Sequence, residues 1–107
     1  MSNPMLVNIL QRGVSFWNSW RSDNYVEEPD FSDEDFSGID FTGADLNGAI
    51  FDDCNLSNTN FTDAILHSAR FVNADINGAN FTRADLRHAV LSSSIHPDNA
   101  DFTDATF

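Results

Sequence analysis

A large apolar residue stands at every fifth position through most of this chain, and neither regular secondary structure explains that spacing. Phe31, Phe36, Phe41, Leu46, Phe51, Leu56, Phe61, Leu66, Phe71, Ile76, Phe81, Leu86 and Leu91 follow one another without a miss. A strand alternates sides with period two, so residues five apart point opposite ways. A helix turns about 100° per residue, so five steps miss the starting face by roughly 140°. Two positions before each large residue runs a small one: Ala44, Ala49, Cys54, Thr59, Ala64, Ala69, Ala74, Ala79, Ala84, Ala89. The remaining positions are mostly Asp, Asn, Ser, Thr and Gly. The small and large residues of one repeat share a side of a short extended segment. The chain must therefore turn a corner within each repeat to bring the next large residue to the same interior. Gly38, Gly43, Gly48 and Gly78 fall two residues after a large one. There they can take positive φ, which Asp and Asn adopt less cheaply. Four corners of about 90° close a coil of about twenty residues, and stacked coils pair as parallel strands about 4.8 Å apart. Such an array is a quasi-one-dimensional solenoid.

The register carries its own check. After Leu91 the next expected large residue is His96, which breaks the pattern, and Phe102 and Phe107 resume it one residue late. The spacing predicts a one-residue insertion near 92–97, with Pro97 as the centre of that repeat and Ile95 pointing inward. Stacking by twenties gives four interior columns. Face one holds Phe31, Phe51, Phe71 and Leu91; face two holds Phe36, Leu56, Ile76 and Pro97. Face three is Phe41, Phe61, Phe81 and Phe102, and face four is Leu46, Leu66, Leu86 and Phe107.

The segments ADLNG (44–48), ADING (74–78), ANFTR (79–83) and ADLRH (84–88) resemble the A-(D/N)-L-x-x pattern of the pentapeptide repeat family. The resemblance runs over 29–107. It implies an all-β solenoid, a right-handed quadrilateral parallel β-helix of about four coils. Residues 1–28 form the other part, an N-terminal capping helix and linker. Ser2 or Asn3 before Pro4 reads as a helix start. Leu6, Leu10, Gly13, Trp17 and Trp20 make an apolar stripe at steps of four and three. The expectation is one helix from Pro4 to Trp20 covering the open edge of the first coil. VSFWNSWRSDN is similar to a WN-x-W-R segment of many cyanobacterial members.

Charge narrows the function classes. The 107 residues carry a net charge of −12, with Arg as the only strong base. Such a surface repels phosphate backbones, so no direct nucleic-acid binding is expected, and basic protein surfaces are the plausible charged partners. A single cysteine excludes an intrachain disulfide framework and fits a reducing compartment. No signal peptide and no membrane span are evident. The expected location is cytoplasmic. Acids recur at solvated corner positions, where Asp and Asn bond their own turns, so paired carboxylates such as Asp52–Asp53 carry no catalytic implication. His67, His88 and His96 lack ligand spacing, and Cys54 falls in the inward small column. The expectation is no enzyme, no cofactor and no metal. The N-x-[ST] matches at 55–57, 60–62 and 80–82 arise from the repeat itself.

Two departures from the repeat are informative. The residue before each large one is normally Asp or Asn, yet Ile50, Arg70 and Val90 take that place on face one. With Val72 beside them they make an apolar stripe around a cation, as contact surfaces often do. Glu34 takes an inward place in the first coil, either frayed there or meeting the N-terminal helix. At the other end the last coil presents Phe102, Phe107 and strand edges, a place for end-to-end association with a second copy or another repeat chain. The leading expectation is a non-catalytic protein-interaction or scaffold module with an unidentified protein partner. The runner-up comes from the resemblance: some members mimic duplex DNA and bind gyrase, which the −12 charge permits.

Overall fold

The computed structural model describes residues 1–107. Its backbone is tied by parallel bridges between residues twenty apart: Asp30 with Ile50, Asp35 with Asn55, Asp40 with Asn60, Asp45 with Ile65, and so on up the chain. Four columns of bridges result, one for each repeat of a twenty-residue coil. The pairing is made by isolated bridges, one per repeat, rather than by extended strands. Each bridge has two bonds. The Phe31 N–H donates to the Ile50 carbonyl, and the Ile50 N–H to the Pro29 carbonyl, both at 2.8 Å.

Corners close through a second set of bonds, from the small residue to the large residue three positions before it, such as Ala44 N–H to Phe41 carbonyl at 3.0 Å. The third residue of this turn has positive φ, as a type II turn requires. Glycine holds that place at 43 (φ 72°), but Asp53, Asn58, Asp63, Ser68, Asn73, Arg83 and His88 take it at 57–62° elsewhere. The ladder bonds on either side over-determine each corner, which is how side chains unsuited to the left-handed region are held there.

The interior is a stack of side chains in register. Phe31, Phe51 and Phe71 lie one above another with ring centroids 5.5 Å apart. Phe61, Phe81 and Phe102 do the same at 5.1 and 5.0 Å, the rings tilted by 11° and 7°. Neighbouring columns meet edge to face, as Phe51 and Phe61 do at 5.7 Å. Both geometries suit the ring quadrupole.

At the N-terminus the expected single helix is two. α1 spans Pro4–Gln11 and α2 spans Val14–Asp23. Gly13, at φ 109°, breaks them apart. The break lets α1 bury Leu6, Val7 and Leu10 while α2 swings Trp17 onto the first coil. Asn3 begins α1, its side chain accepting from the Met5 and Leu6 amides at 3.1 and 3.3 Å. α2 also substitutes for a missing coil. Carbonyls of coil one that would accept from a preceding coil accept side-chain donors instead. Trp17 Nε1 donates to the Asp45 carbonyl at 2.6 Å and Arg21 Nη2 to the Asn47 carbonyl at 2.7 Å. Asn18 accepts the Asp45 amide at 2.8 Å.

The insertion falls after Ile95. Asp75 pairs with Ile95, twenty residues on, whereas Asn80 pairs with Asp101 and Asp85 with Thr106, twenty-one on. This corrects two placements. Ile95 is a bridge residue, 45% exposed, and does not point inward. Pro97 starts an exposed 3₁₀ turn, Pro97–Asn99, and fills no core position. His96 stands where the large residue would be, but its φ of 60° turns it outward to Asp75, Nδ1 to Oδ1 3.1 Å. The interior column of face two therefore ends at Ile76.

Candidate functional site: face one

On face three the residue before each large one caps its own turn. Asp40, Asn60, Asn80 and Asp101 each accept the backbone amide two residues on, at 2.9–3.0 Å. The threonine there gives its hydroxyl to the same oxygen, Thr62 to Asn60 at 2.6 Å. Asn60 and Asn80, which head two of the N-x-[ST] matches, are thus turn residues.

Face one keeps this rule at Asp30, which accepts the Ser32 amide at 2.9 Å, and breaks it above. Ile50, Arg70 and Val90 bridge directly to one another up the ladder and can offer no carboxylate or amide oxygen. Asp52 compensates from the coil below. Its Oδ1 accepts the Val72 amide at 3.1 Å, and its Oδ2 takes Arg70 Nη2 at 3.0 Å and Nε at 3.3 Å. The cation in the stripe is thus neutralised by one carboxylate. Ile50 and Val72 are half-buried, Arg70 is exposed, and Val90 is 37% exposed. An open concavity of about 340 Å³ lies beside them, lined by Ile50, Asp52 and Arg70 together with Glu28, Asp30, Ser32, Asp33 and Asp53.

Phe102 and Phe107 lie elsewhere. Phe102 is half-buried on Phe81 in face three, while Phe107 is 69% exposed beside it, centroids 5.8 Å apart. The amides of Leu91 and Phe102 on the outer rim of the fourth coil make no backbone bond. The sequence reading missed Ile65, which breaks the Asp/Asn rule on face four and is 43% exposed. The same rule, applied to every face, finds it.

The titratable groups are turn and core residues. Burial pushes the Cys54 thiol up to about 12, and its Sγ donates to the Phe31 carbonyl at 2.9 Å. Thr59 repeats that bond one repeat later, to the Phe36 carbonyl at 3.0 Å. A protonated, enclosed thiol is no nucleophile. The His67 and His88 rings meet edge to face at 5.3 Å. No group of three His, Cys, Asp or Glu side chains is placed to hold a metal ion. Glu34 meets the cap: the Ser2 hydroxyl donates to its Oε2 at 2.6 Å. No helix is long and apolar enough to cross a membrane.

The fivefold register, the corner chemistry and the stacked interior define a class, and comparison with known proteins gives the same one. The pentapeptide repeat region profile matches residues 27–102, and the chain belongs to that family. A pentapeptide repeat protein of the Arabidopsis thaliana thylakoid lumen is 38% identical, with a TM-score of 0.56 over 67% of this chain and 46% of that one. HetL, a pentapeptide repeat protein involved in heterocyst differentiation regulation in the cyanobacterium Nostoc, is 24% identical. Its TM-score is 0.53, over 73% of this chain and 38% of its own, and the likeness shows the fold alone. This chain spans less than half the length of either relative. No curated protein matches it.

Proposed function

We propose that this chain is a non-catalytic protein-interaction module, a right-handed quadrilateral β-helix whose face one receives a protein partner. The four ladders at twenty-residue spacing and the fold of its relatives support the coil geometry. One observation carries the function. The Asp/Asn rule is broken three times in register, at Ile50, Arg70 and Val90, and Asp52 repairs the turn that Arg70 leaves uncapped. Apolar groups aligned along a rigid ladder, Ile50 half-buried and Val90 exposed, with a paired cation between them, form a preorganised contact patch on an otherwise polar rod. The acids are unevenly spread. Residues 23–53 hold eleven acids and no Arg or Lys, whereas 64–90 hold two acids and three Arg. A duplex mimic asks for acid along the whole length, so this distribution favours a local protein contact. The protein surface fits a partner rather than a substrate, since its concavities are open and polar.

The test is a comparison of proteins captured from the native host by the wild type and by Ile50→Asp plus Val90→Asp. Val90 is exposed and Ile50 half-buried, both off the core, so the two substitutions together should lower the melting temperature by no more than about 8 °C and leave the protein folded. Loss of the specifically captured set supports the reading. An unchanged set, with the variant folded, removes it.

A further inference from the structure

We infer that Asn77, on face two, is a site of self-modification, converting through a cyclic imide to aspartate and isoaspartate in the folded protein. Asparagine precedes glycine twice in this chain, as Leu-Asn-Gly-Ala at 46–49 and Ile-Asn-Gly-Ala at 76–79. In the reaction the glycine main-chain nitrogen gives its proton to solvent base and attacks the side-chain carbonyl carbon of the asparagine. The new nitrogen–carbon bond closes a five-membered imide. The bond to the side-chain amide nitrogen breaks, and that nitrogen takes up a proton and leaves as ammonia. Water then opens the imide at one of its two carbonyls. Opening at the side-chain carbonyl gives aspartate. Opening at the main-chain carbonyl gives isoaspartate, in which the backbone runs through the side chain and is one methylene longer. Glycine favours the attack because it sets no Cβ beside the nitrogen. The two sequences are nearly the same, so the structure decides between them.

Each asparagine is exposed and precedes the positive-φ residue of its corner, Gly48 at 74° and Gly78 at 72°. Each attacking N–H is held by a ladder bond, so the reaction waits on local opening of the corner. The Gly38, Gly43 and Gly48 amides donate at 2.9 Å, whereas the Gly78 amide donates to the Asn99 carbonyl at 3.2 Å. Asn99 ends the exposed turn Pro97–Asn99 of the insertion, so this acceptor is carried by a surface excursion rather than by a regular coil. Gly78 is itself exposed, while Gly48 is half-buried. The cap closes the corner at Asn47. Arg21 Nη2 donates to the Asn47 carbonyl at 2.7 Å, and the Glu27 backbone lies against Gly48. At Asn77 a donor instead reaches the reacting group. Asn99 Nδ2 donates to Asn77 Oδ1 at 2.9 Å, on the oxygen where charge develops during attack. Isoaspartate at this corner would also displace the Asn77 carbonyl, which takes the Asn58 amide at 2.8 Å, and so weaken the ladder between the second and third coils.

The experiment holds the full chain in warm, mildly alkaline buffer beside a sample unfolded in guanidinium chloride. Samples are digested with pepsin in acid, which halts the reaction, and mapped by mass spectrometry with electron-transfer fragmentation, which tells aspartate from isoaspartate. In the folded protein Asn77 should convert about fivefold faster than Asn47, the ratio that a small difference in local opening gives. In the unfolded chain the two should convert at equal rates. Asn77→Ser should stay folded and leave Asn47 as the slow site, because Ser37 and Ser57 hold the same place in the coils below. Asn47 keeping pace with Asn77 in the folded protein would overturn the assignment. An Asn77 still intact when the unfolded chain has half converted would do the same. The same preference for Asn77 in the unfolded chain would also overturn it, since sequence and not the corner would then set the rate.

Discussion

At the residue scale, the corner position decides which side chains the repeat accepts. Gly38 and Gly48 have the same left-handed backbone, φ 72° and 74°, but different surroundings. A Cβ on Gly38 meets nothing within 4 Å, whereas on Gly48 it would overlap the Glu27 carbonyl oxygen. Gly38→Asn should therefore be almost neutral, as asparagine already holds this place at Asn58 and Asn73. Gly48→Ala should cost about 2 kcal/mol, from left-handed strain and displacement of the linker backbone, read as a lower urea midpoint. Equal midpoints for the two variants would show that the linker does not rest on that corner. The sequence displayed the interior as far as Leu91, because every fifth residue there meets the same core. It hid some corners, since Ser68 and Arg83 have no preference for positive φ and are held there by ladder bonds. It placed the one-residue insertion within 92–97, where the register does slip, but not the residues that the slip ejects. With Pro97 as the repeat centre, Ile95 fell in the inward small column, yet the structure keeps the ladder pairing of Ile95 with Asp75 and leaves His96 and Pro97 exposed.

Among the elements, the cap is the one that repeat logic does not generate. A stripe at helical spacing predicted it, but Gly13 lay within that stripe and so its break was not visible. Nor could spacing show that Trp17, Asn18 and Arg21 take the place of a preceding coil's backbone. That role needs side chains of particular reach opposite Asp45 and Asn47, which is a property of the docked geometry. Trp17 is fully buried, stacks on Trp20 at 5.5 Å and meets Phe31 edge-on at 5.5 Å. Trp17→Ala should cost about 4 kcal/mol, leaving a cavity and an unpaired Asp45 carbonyl. The expected result is a lower thermal midpoint together with dye binding to the exposed Phe31 end. Loss of stability without new dye binding would mean that α1 alone can close that end.

For the whole molecule, the carboxylates set an acid limit. The Thr42 hydroxyl and amide hold Asp40 below the usual carboxylate range, and Thr103 does the same for Asp101. Asp85, bonded by Arg87, is lowered to about 2. A depressed native pKa means that the unfolded chain takes up protons first. The stability these groups give is present above about pH 4, the unfolded value, and is lost as pH falls toward about 2. The melting temperature should drop over that window. Asp40→Asn plus Asp101→Asn should flatten the drop, because Asn60 and Asn80 on the same ladder hold their turns without a titrating group. An equally steep drop in the variant would place the acid sensitivity elsewhere. The register has one more consequence. Each residue's ladder partner is twenty positions away, or twenty-one past Ile95, and never farther. Loop-closure entropy is thus nearly the same for every coil and does not grow with chain length. Once the cap and coil one are in place, each newly synthesised stretch of about twenty residues finds its complete template already formed behind it. The molecule can wind in the direction of translation, one floor at a time.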